Sequence, residues 1–228
     1  MTAADNDGIT DRDRSSEADD MSFKVECFPL GPLSENTYLL TDEASGDKAV
    51  IDPGYFGPRA EELIGDKDSL KYILLTHGHH DHFAAAQEYM DAYPDAVFAA
   101  PEKDTYLMYK GSDNKDFADD EEDAVCPEAH RLLKEGDVIS VGESELRVIE
   151  TPGHTEGSIC FVNDKLLFCG DLLFRLSVGR TDFETGDWKT LVRSIEEKVY
   201  TLDDDIVVLS GHGPATTIGY EKKANPFV

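Results

Sequence analysis

The chain has 228 residues, a length that fits one large domain or two small ones. Hydrophobic residues make up 40% of it, enough for a packed core, and no stretch approaches the run of about 18 apolar residues that spans a bilayer. The 21 basic and 48 acidic residues give a net charge of −27, which argues against partners such as nucleic acid or an anionic membrane surface.

The N-terminal segment 1–20 is acidic and lacks the apolar region of a secretory signal. We predict a disordered tail over 1–20, a single domain over 21–228 and a cytoplasmic location in which the four cysteines are reduced. A second acidic run, 112–123, is typical of solvated surface or disorder. Cys160 and Cys169 lie in apolar runs and are predicted to be small core residues.

Short apolar runs rich in β-branched residues, closed by Gly, Pro or Asp, predict β-strands. In chain order they cover residues 23–28, 36–41, 48–52, 71–77, 96–100, 145–151, 158–162, 165–171 and 205–212. Several of these runs are apolar throughout, which is typical of strands buried on both faces.

Two segments between the strands predict helices. Residues 82–92 are rich in alanine and stop before Pro94, and residues 187–200 follow Asp187, a possible N-cap. Helical spacing puts four apolar residues of the second segment on one face, which predicts that all four are core: Trp188, Leu191, Ile195 and Val199. Strands interspersed with helices favour sheets covered by helices.

Polar residues stand where several predicted strands end. His77, Asp171 and His212 each close a strand, and His154 follows another in the segment Thr-Pro-Gly-His. Side chains at strand ends beside Gly and Pro are held by a rigid scaffold yet can stay accessible, so we expect a functional site there.

The densest signal is residues 77–82, which read His-Gly-His-His-Asp-His. So many polar groups cannot all enter an apolar core, and the alternative to a metal site is a His-rich surface tract. Imidazole and carboxylate groups are the ligands of Zn, Fe and Mn. His77 and His79 can chelate one ion from a tight turn, and Asp81 and His82 can reach a second ion from the first turn of a helix.

This motif, followed by the distant His154, Asp171 and His212, resembles the signature of the metallo-β-lactamase superfamily over residues 23–225. The resemblance implies an α/β fold, an αββα sandwich of two mixed sheets with helices outside. It also implies two divalent metals, most simply Zn but also Fe or Mn, whose ligands are His77, His79 and His154 for the first, Asp81, His82 and His212 for the second, and Asp171 as the bridge.

In that family a metal-bridging hydroxide attacks a carbonyl, so Asp81 and Asp171 are the expected catalytic residues. Segments 179–187 and 211–227 resemble short bacterial relatives of glyoxalase II, which implies hydrolysis of a small-molecule thioester such as S-lactoylglutathione. The substrate-binding candidates are Arg180, Lys222 and Lys223. The alternatives are a structural ion pair for Arg180 and a solvated helix face for the two lysines.

The sequence is compatible with several alternatives. Only residues 213–228 follow His212, whereas classical glyoxalase II has a helical domain there that supplies much of the glutathione pocket. We therefore expect a smaller pocket, or one built by a partner chain, and the thiol portion of the substrate is left open. The nearest rival is a persulfide dioxygenase with a single iron held by His77, His154 and Asp171. A nuclease and a non-catalytic metal-binding protein are further alternatives. Asp52 is either an ordinary turn residue or a support for the metal loops, and His130 is predicted on a helix surface.

Overall fold

The computed structural model describes residues 23–30, 34–109 and 126–228. The predicted tail 1–20 and the acidic run 112–123 lie outside these residues, so both remain predictions. Within the described part, no helix has the length and apolar character needed to cross a membrane.

The first sheet has six strands in chain order. They are β1 (Phe23–Leu30), β2 (Glu35–Asp42), β3 (Lys48–Ile51), β4 (Leu70–Leu74), β5 (Val97–Pro101) and β6 (Arg131–Leu133). Strands β1 to β3 pair in antiparallel fashion, whereas β3 to β6 are parallel, so the sheet is mixed.

The second sheet is built from the later part of the chain. Its strands and a small hairpin are β7 (Val138–Val141), β8 (Ser144–Glu150), β9 (Ile159–Val162), β10 (Leu166–Gly170), the hairpin β11 (Leu173–Phe174) with β12 (Ser177–Val178), β13 (Val207–Ser210) and β14 (Thr216–Thr217). The order in the sheet is β14-β13-β10-β9-β8-β7, and only β10 and β13 pair in parallel.

Helices cover the outer faces of both sheets. They are α1 (Pro58–Ile64), α2 (His80–Phe83), α3 (Ala86–Ala92), α4 (Thr105–Tyr109), α5 (Trp188–Ser194) and α6 (Ile218–Ala224). A π-helical turn, Ile195–Val199, extends α5, and short 3₁₀ turns occupy Lys67–Ser69 and Glu102–Asp104.

Alternation along the strands creates three apolar layers. On β2, Leu40 points between the sheets with Leu74 and Phe161, whereas its neighbour Leu39 packs under α1 and α3 beside Ile64. A third layer joins the second sheet to α5 and α6. The arrangement confirms the predicted αββα sandwich of two mixed sheets.

All nine predicted strands are present, with ends that differ by up to three residues. The run 71–77, for example, leaves the strand at Leu74, so that His77 lies in a turn. The strands that the sequence patterns missed are β6, β7, β11, β12 and β14, each of four residues or fewer. Strands of two or three residues are too short to show an alternation, whereas β7 was missed although its four residues alternate between exposed and buried.

The predicted helix over 82–92 is wrong in its continuity. Helix α2 ends at Phe83 and α3 begins at Ala86, because the backbone N–H of Ala85 donates to Pro53 O at 2.8 Å rather than continuing the helix. Good helix propensity is overridden here by a contact with the loop that follows β3.

The helix predicted over 187–200 is confirmed, with Asp187 accepting a hydrogen bond from Thr190 N as its N-cap. Three of its four predicted core residues are buried, but Trp188 is 44% exposed. Helical spacing identifies the face of a helix, whereas the tertiary structure decides which residues along that face are covered. His130 is also a correction, since it precedes β6 and accepts a hydrogen bond from Phe98 N instead of lying on a helix.

Candidate metal centre

Loops from both sheets meet at one edge of the sandwich. The chain leaves β4 into a turn and then α2, while the other loops follow β8, β10 and β13. Strands β8, β10 and β13 run in the same direction, so their carboxyl ends lie at the same edge of the second sheet. All the predicted metal ligands are brought together there: His77, His79, Asp81, His82, His154, Asp171 and His212.

The first cluster comprises His77, His79 and His154. Each offers one ring nitrogen, and these nitrogens lie within 4.8 Å of one another. His79 Nδ1 is 2.8 Å from His154 Nε2. All three side chains are buried, so their nitrogens face one another in a site shielded from water.

Protein partners set the tautomers of two of these rings. His154 Nδ1 lies 2.7 Å from the carbonyl of Arg180, which can only accept, so this nitrogen carries the proton. Thr76 Oγ1 donates to Asp52 Oδ2 and therefore accepts from His77 Nδ1 at 3.1 Å. In both rings Nε2 is left with a lone pair directed into the cluster, which is the form that binds a metal.

The second cluster comprises Asp81, His82 and His212. Asp81 Oδ2 is 3.2 Å from His212 Nε2 and 3.8 Å from His82 Nε2. The His82 ring is fully buried, whereas the side chains of Asp81 and His212 are 19% and 26% exposed. The second cluster is therefore more acidic and more open to solvent than the first.

Asp171 lies between the two clusters. Its Oδ2 is 3.6 Å from both His154 Nε2 and His212 Nε2, and its Oδ1 is 3.4 Å from His82 Nε2. Gly211 permits this approach, because a Cβ at that position would collide with the Asp171 carboxylate and the His82 ring. One carboxylate thus reaches ligands of both clusters.

Three buried atoms of this centre have no hydrogen-bond partner among the residues that the structure describes: His77 Nε2, His82 Nε2 and Asp171 Oδ1. Burying one such atom unsatisfied costs about 1–3 kcal/mol. Divalent cations would satisfy all three, and nitrogen and carboxylate donors in this arrangement suit Zn, Fe or Mn. The residues therefore fit two ions, one per cluster, with Asp171 shared.

The electrostatics of the two clusters differ. Burial, with the nearby His82 and His154 rings, holds the pKa of His77 well below its usual value, and burial lowers the pKa of His79 to about 3. Burial also opposes the charged form of His82, yet the carboxylates of Asp81 and Asp171 outweigh it and raise the pKa of His82. His77 and His79 are thus kept as neutral imidazoles, and the second cluster attracts positive charge.

Asp52 supports both clusters from behind. Its carboxylate accepts from Thr76 N and Thr76 Oγ1, each at 2.8 Å, and lies 2.9 Å from His82 Nδ1. Thr76 precedes His77 in the chain. Of the two sequence interpretations of Asp52, the structure supports the one in which it holds the metal loops.

The three predicted substrate-binding residues are placed differently. The Arg180 carbonyl touches His154, while its exposed guanidinium forms two 2.7 Å hydrogen bonds to Asp182. Lys222 binds Asp204 and the carbonyl of Leu202, at the opposite end of β13 from His212. The structure does not bring Lys222 to the metal centre, and Lys223 is exposed beside it. A role of these residues in substrate binding stays a prediction.

Asn36, at the start of β2, was missed by sequence reasoning. Its side-chain amide donates to the carbonyls of Ser210 and Gly213, each at 2.9 Å, and its backbone N–H donates to Gly211 O at 2.7 Å. These bonds hold the loop that carries His212. A lone asparagine in a strand carries no motif, so no sequence signal distinguished it.

Two phenylalanines flank the centre and were also missed. The Phe183 ring lies 5.2 Å from that of His79, and the Phe174 ring lies 6.3 Å from that of His212. They border the two clusters with apolar surface. In the sequence they resemble the other aromatic residues of the chain and could not be singled out.

Comparison with known proteins agrees with this architecture. Residues 30–212 match the profile described as the metallo-β-lactamase superfamily. The chain is 36% identical over 210 residues, 90% of this chain and 98% of the other, to hydroxyacylglutathione hydrolase GloC of Haemophilus influenzae. The chain therefore belongs to the metallo-β-lactamase superfamily and is a metal-dependent hydrolase of that superfamily.

Solved structures of similar proteins superpose on this chain over most of its length. The BLEG-1 B3 metallo-β-lactamase superposes with a TM-score of 0.81 at 31% identity, covering 90% of this chain and 99% of that one. TTHA1623, in a di-iron-bound form, superposes with a TM-score of 0.77 at 34% identity, covering 89% and 100%. The similarity thus extends over the full length of chains of this size, including one that holds two metal ions.

Proposed function

We propose that the protein hydrolyses an acyl thioester of a small thiol, with S-lactoylglutathione as the first candidate. The observation that carries the proposal is the pair of ligand clusters joined by Asp171. The similarity to GloC, a protein named hydroxyacylglutathione hydrolase, over 98% of its length supports the thioester in particular.

His77, His79 and His154 would hold one ion, Asp81, His82 and His212 the other, and Asp171 both; Zn, Fe and Mn all fit this donor set. Two such ions, when bound, supply a water of lowered pKa and a Lewis acid for the thioester carbonyl. Asp171 keeps the clusters at a fixed separation. Asp81, on the more exposed side, can accept a hydrogen bond from the attacking water and orient it towards the carbonyl.

The acyl group would lie between Phe183 and Phe174, which border the two clusters. Two arginines lie next to these phenylalanines and are candidates for binding a carboxylate on the thiol portion, although the guanidinium of Arg180 would have to share its pairing with Asp182. Arg180 is stacked on Phe183, with its guanidinium carbon 4.0 Å from the ring centroid, and Arg175 lies 5.5 Å from the ring centroid of Tyr220. Their charge would attract an anionic thiol to a protein that otherwise repels anions.

The decisive experiment loads the protein with Zn²⁺, Fe²⁺ or Mn²⁺ in turn and supplies S-lactoylglutathione, measuring thiol release and oxygen uptake. Hydrolysis releases free thiol without consuming oxygen. Glutathione persulfide and a β-lactam serve as competing substrates. Oxygen uptake with the persulfide and no thiol release from any thioester would contradict the proposal in favour of the single-iron dioxygenase. Cleavage of the β-lactam alone would contradict it as well.

A further inference from the structure

Asp104 ends the 3₁₀ turn that follows β5 and is fully buried. Its Oδ2 accepts from Gly78 N at 2.8 Å and from Thr155 Oγ1 at 2.7 Å, and its Oδ1 accepts from Gly157 N at 2.8 Å. Asp104 belongs to no sequence motif and is not one of the proposed metal ligands or catalytic residues.

The partners of Asp104 belong to the two loops that carry the first cluster. Gly78 lies between His77 and His79, and Thr155 directly follows His154. These loops come from different sheets, since the first follows β4 and the second follows β8. A single carboxylate therefore ties together the backbones that aim all three histidines of the first cluster.

The fit around this carboxylate is tight. A Cβ at Gly157 would collide with the Asp104 side chain, and a Cβ at Gly78 would lie 3.2 Å from Asp104 Cβ. Both glycines thus allow the loops to approach the carboxylate closely. A charge-assisted hydrogen bond is stronger than a neutral one, which makes this a stiff connection between the loops.

We propose that Asp104 is a positioning residue that fixes the His77–His79 turn relative to the loop of His154. It thereby sets the affinity of the first cluster for its metal ion, with little effect on the metal affinity of the second cluster. Within the described part of the chain, the Asp104 carboxylate bonds to Gly78, Thr155 and Gly157 and to no side chain of the proposed metal ligands. The inference rests on the proposed metal sites and not on the identity of the substrate.

Asp42 is a matched control at the other end of β2 from the metal centre. It is also fully buried and accepts hydrogen bonds from Ser45 N, Ser45 Oγ, Glu143 N and Ser144 Oγ. Like Asp104, it ties together two turns that are distant in sequence. The turns that Asp42 connects contain no predicted metal ligand. A loss of metal affinity that merely reflects lower stability should therefore appear in both the Asp104 and the Asp42 variants.

The test uses the full chain carrying His212→Ala, which removes one ligand of the second cluster and leaves the first intact. Zn²⁺ affinity is measured by competition with a chelator, alongside circular dichroism and thermal melting. In this background Asp104→Asn should weaken Zn²⁺ binding by about tenfold or more. Thr155→Val should act in the same direction with a smaller effect. Asp42→Asn should lower the melting temperature and leave Zn²⁺ affinity within about twofold.

In the reciprocal background, His154→Ala, Asp104→Asn should leave the remaining Zn²⁺ affinity nearly unchanged. Wild-type Zn²⁺ affinity in a folded Asp104→Asn variant would overturn the proposal, as would an equal loss in Asp42→Asn. If Asp104→Asn does not fold, Thr155→Val decides: weaker binding supports the proposal, and unchanged binding overturns it. Because no substrate is used, the result is independent of whether the thioester assay succeeds.

Discussion

The two ligand clusters occupy one edge of the same sandwich yet have different surroundings. The first has only imidazoles, all buried, and a threonine hydroxyl and a backbone carbonyl orient two of them, His77 and His154. The second mixes imidazoles with a carboxylate, and its members Asp81 and His212 are partly exposed. The comparison indicates a buried, preorganised first cluster and an acidic second cluster on the side from which a substrate can enter.

The physical cause of the difference is the depth of each ligand. Burial removes water from His77 and His79, which lowers the pKa of both rings and keeps their lone pairs available. In the second cluster the carboxylates offset burial and favour positive charge at His82. We therefore expect tight metal binding at the first cluster and more exchangeable binding at the second.

The largest effect is expected when the residue shared by both clusters, Asp171, is removed. Asp171→Ala should lower kcat/KM for thioester hydrolysis by about 10³-fold, about 4 kcal/mol of transition-state stabilisation, and leave at most one metal per chain. Metal quantification and steady-state kinetics check both results. Asp164→Ala, at the other end of β10, is the control, since Asp164 is exposed. A variant that keeps two metals per chain would show that Asp171 does not bridge them.

Asp52 provides a more selective test, because it contacts His82 directly but His77 only through Thr76. Asp52→Asn should weaken metal binding by about 10–100-fold, with the greater loss at the second cluster. Chelator competition in the His212→Ala and His154→Ala backgrounds separates the two clusters.

Asp47→Asn is the control for this change, because Asp47 precedes β3 whereas Asp52 follows it. It should leave metal affinity unaltered. An equal loss of metal affinity at both clusters in Asp52→Asn would contradict this expectation. It would mean that the indirect contact with His77 through Thr76 supports metal binding as much as the direct bond to His82 does.

The smallest expected effect is at the rim. Arg180→Ala should raise KM by about tenfold with a smaller change in kcat, because the guanidinium is proposed to bind a substrate carboxylate. Metal content should stay at the wild-type level, since the bond to His154 uses the Arg180 carbonyl, which the variant keeps. Arg180→Lys should recover only part of the loss, because lysine lacks the planar fork of arginine.

The ion pair with Asp182 makes a different outcome possible for Arg180. If that ion pair only stabilises the loop that contains Arg180 and Asp182, Arg180→Ala should lower the melting temperature and leave KM unchanged for every thioester tested. Steady-state kinetics and thermal melting on the same preparations distinguish these results.

The elements that the sequence predicted best are those with a local signal. Strands of five or more residues, the Asp187 cap and the buried Leu191, Ile195 and Val199 were all predicted, because periodicity and capping depend on neighbours within a few positions. The grouping of the ligands was also expected, because the resemblance to the metallo-β-lactamase superfamily, carried by the dense histidine motif with His154, Asp171 and His212, implies it. Very short strands and the exposure of Trp188 were not predicted, because they depend on tertiary contacts with elements that are distant in the sequence.

By itself, then, the sequence determined the class of the fold and the residues able to bind metal, because strand periodicity and donor chemistry are properties of the side chains and their immediate neighbours. Only the tertiary structure decided which residues hold those ligands in place. Asn36 bonds to carbonyls 174 and 177 residues away, and Asp104 joins loops that follow strands in different sheets. Such contacts leave no periodic pattern, because they exist only after the two sheets have packed face to face.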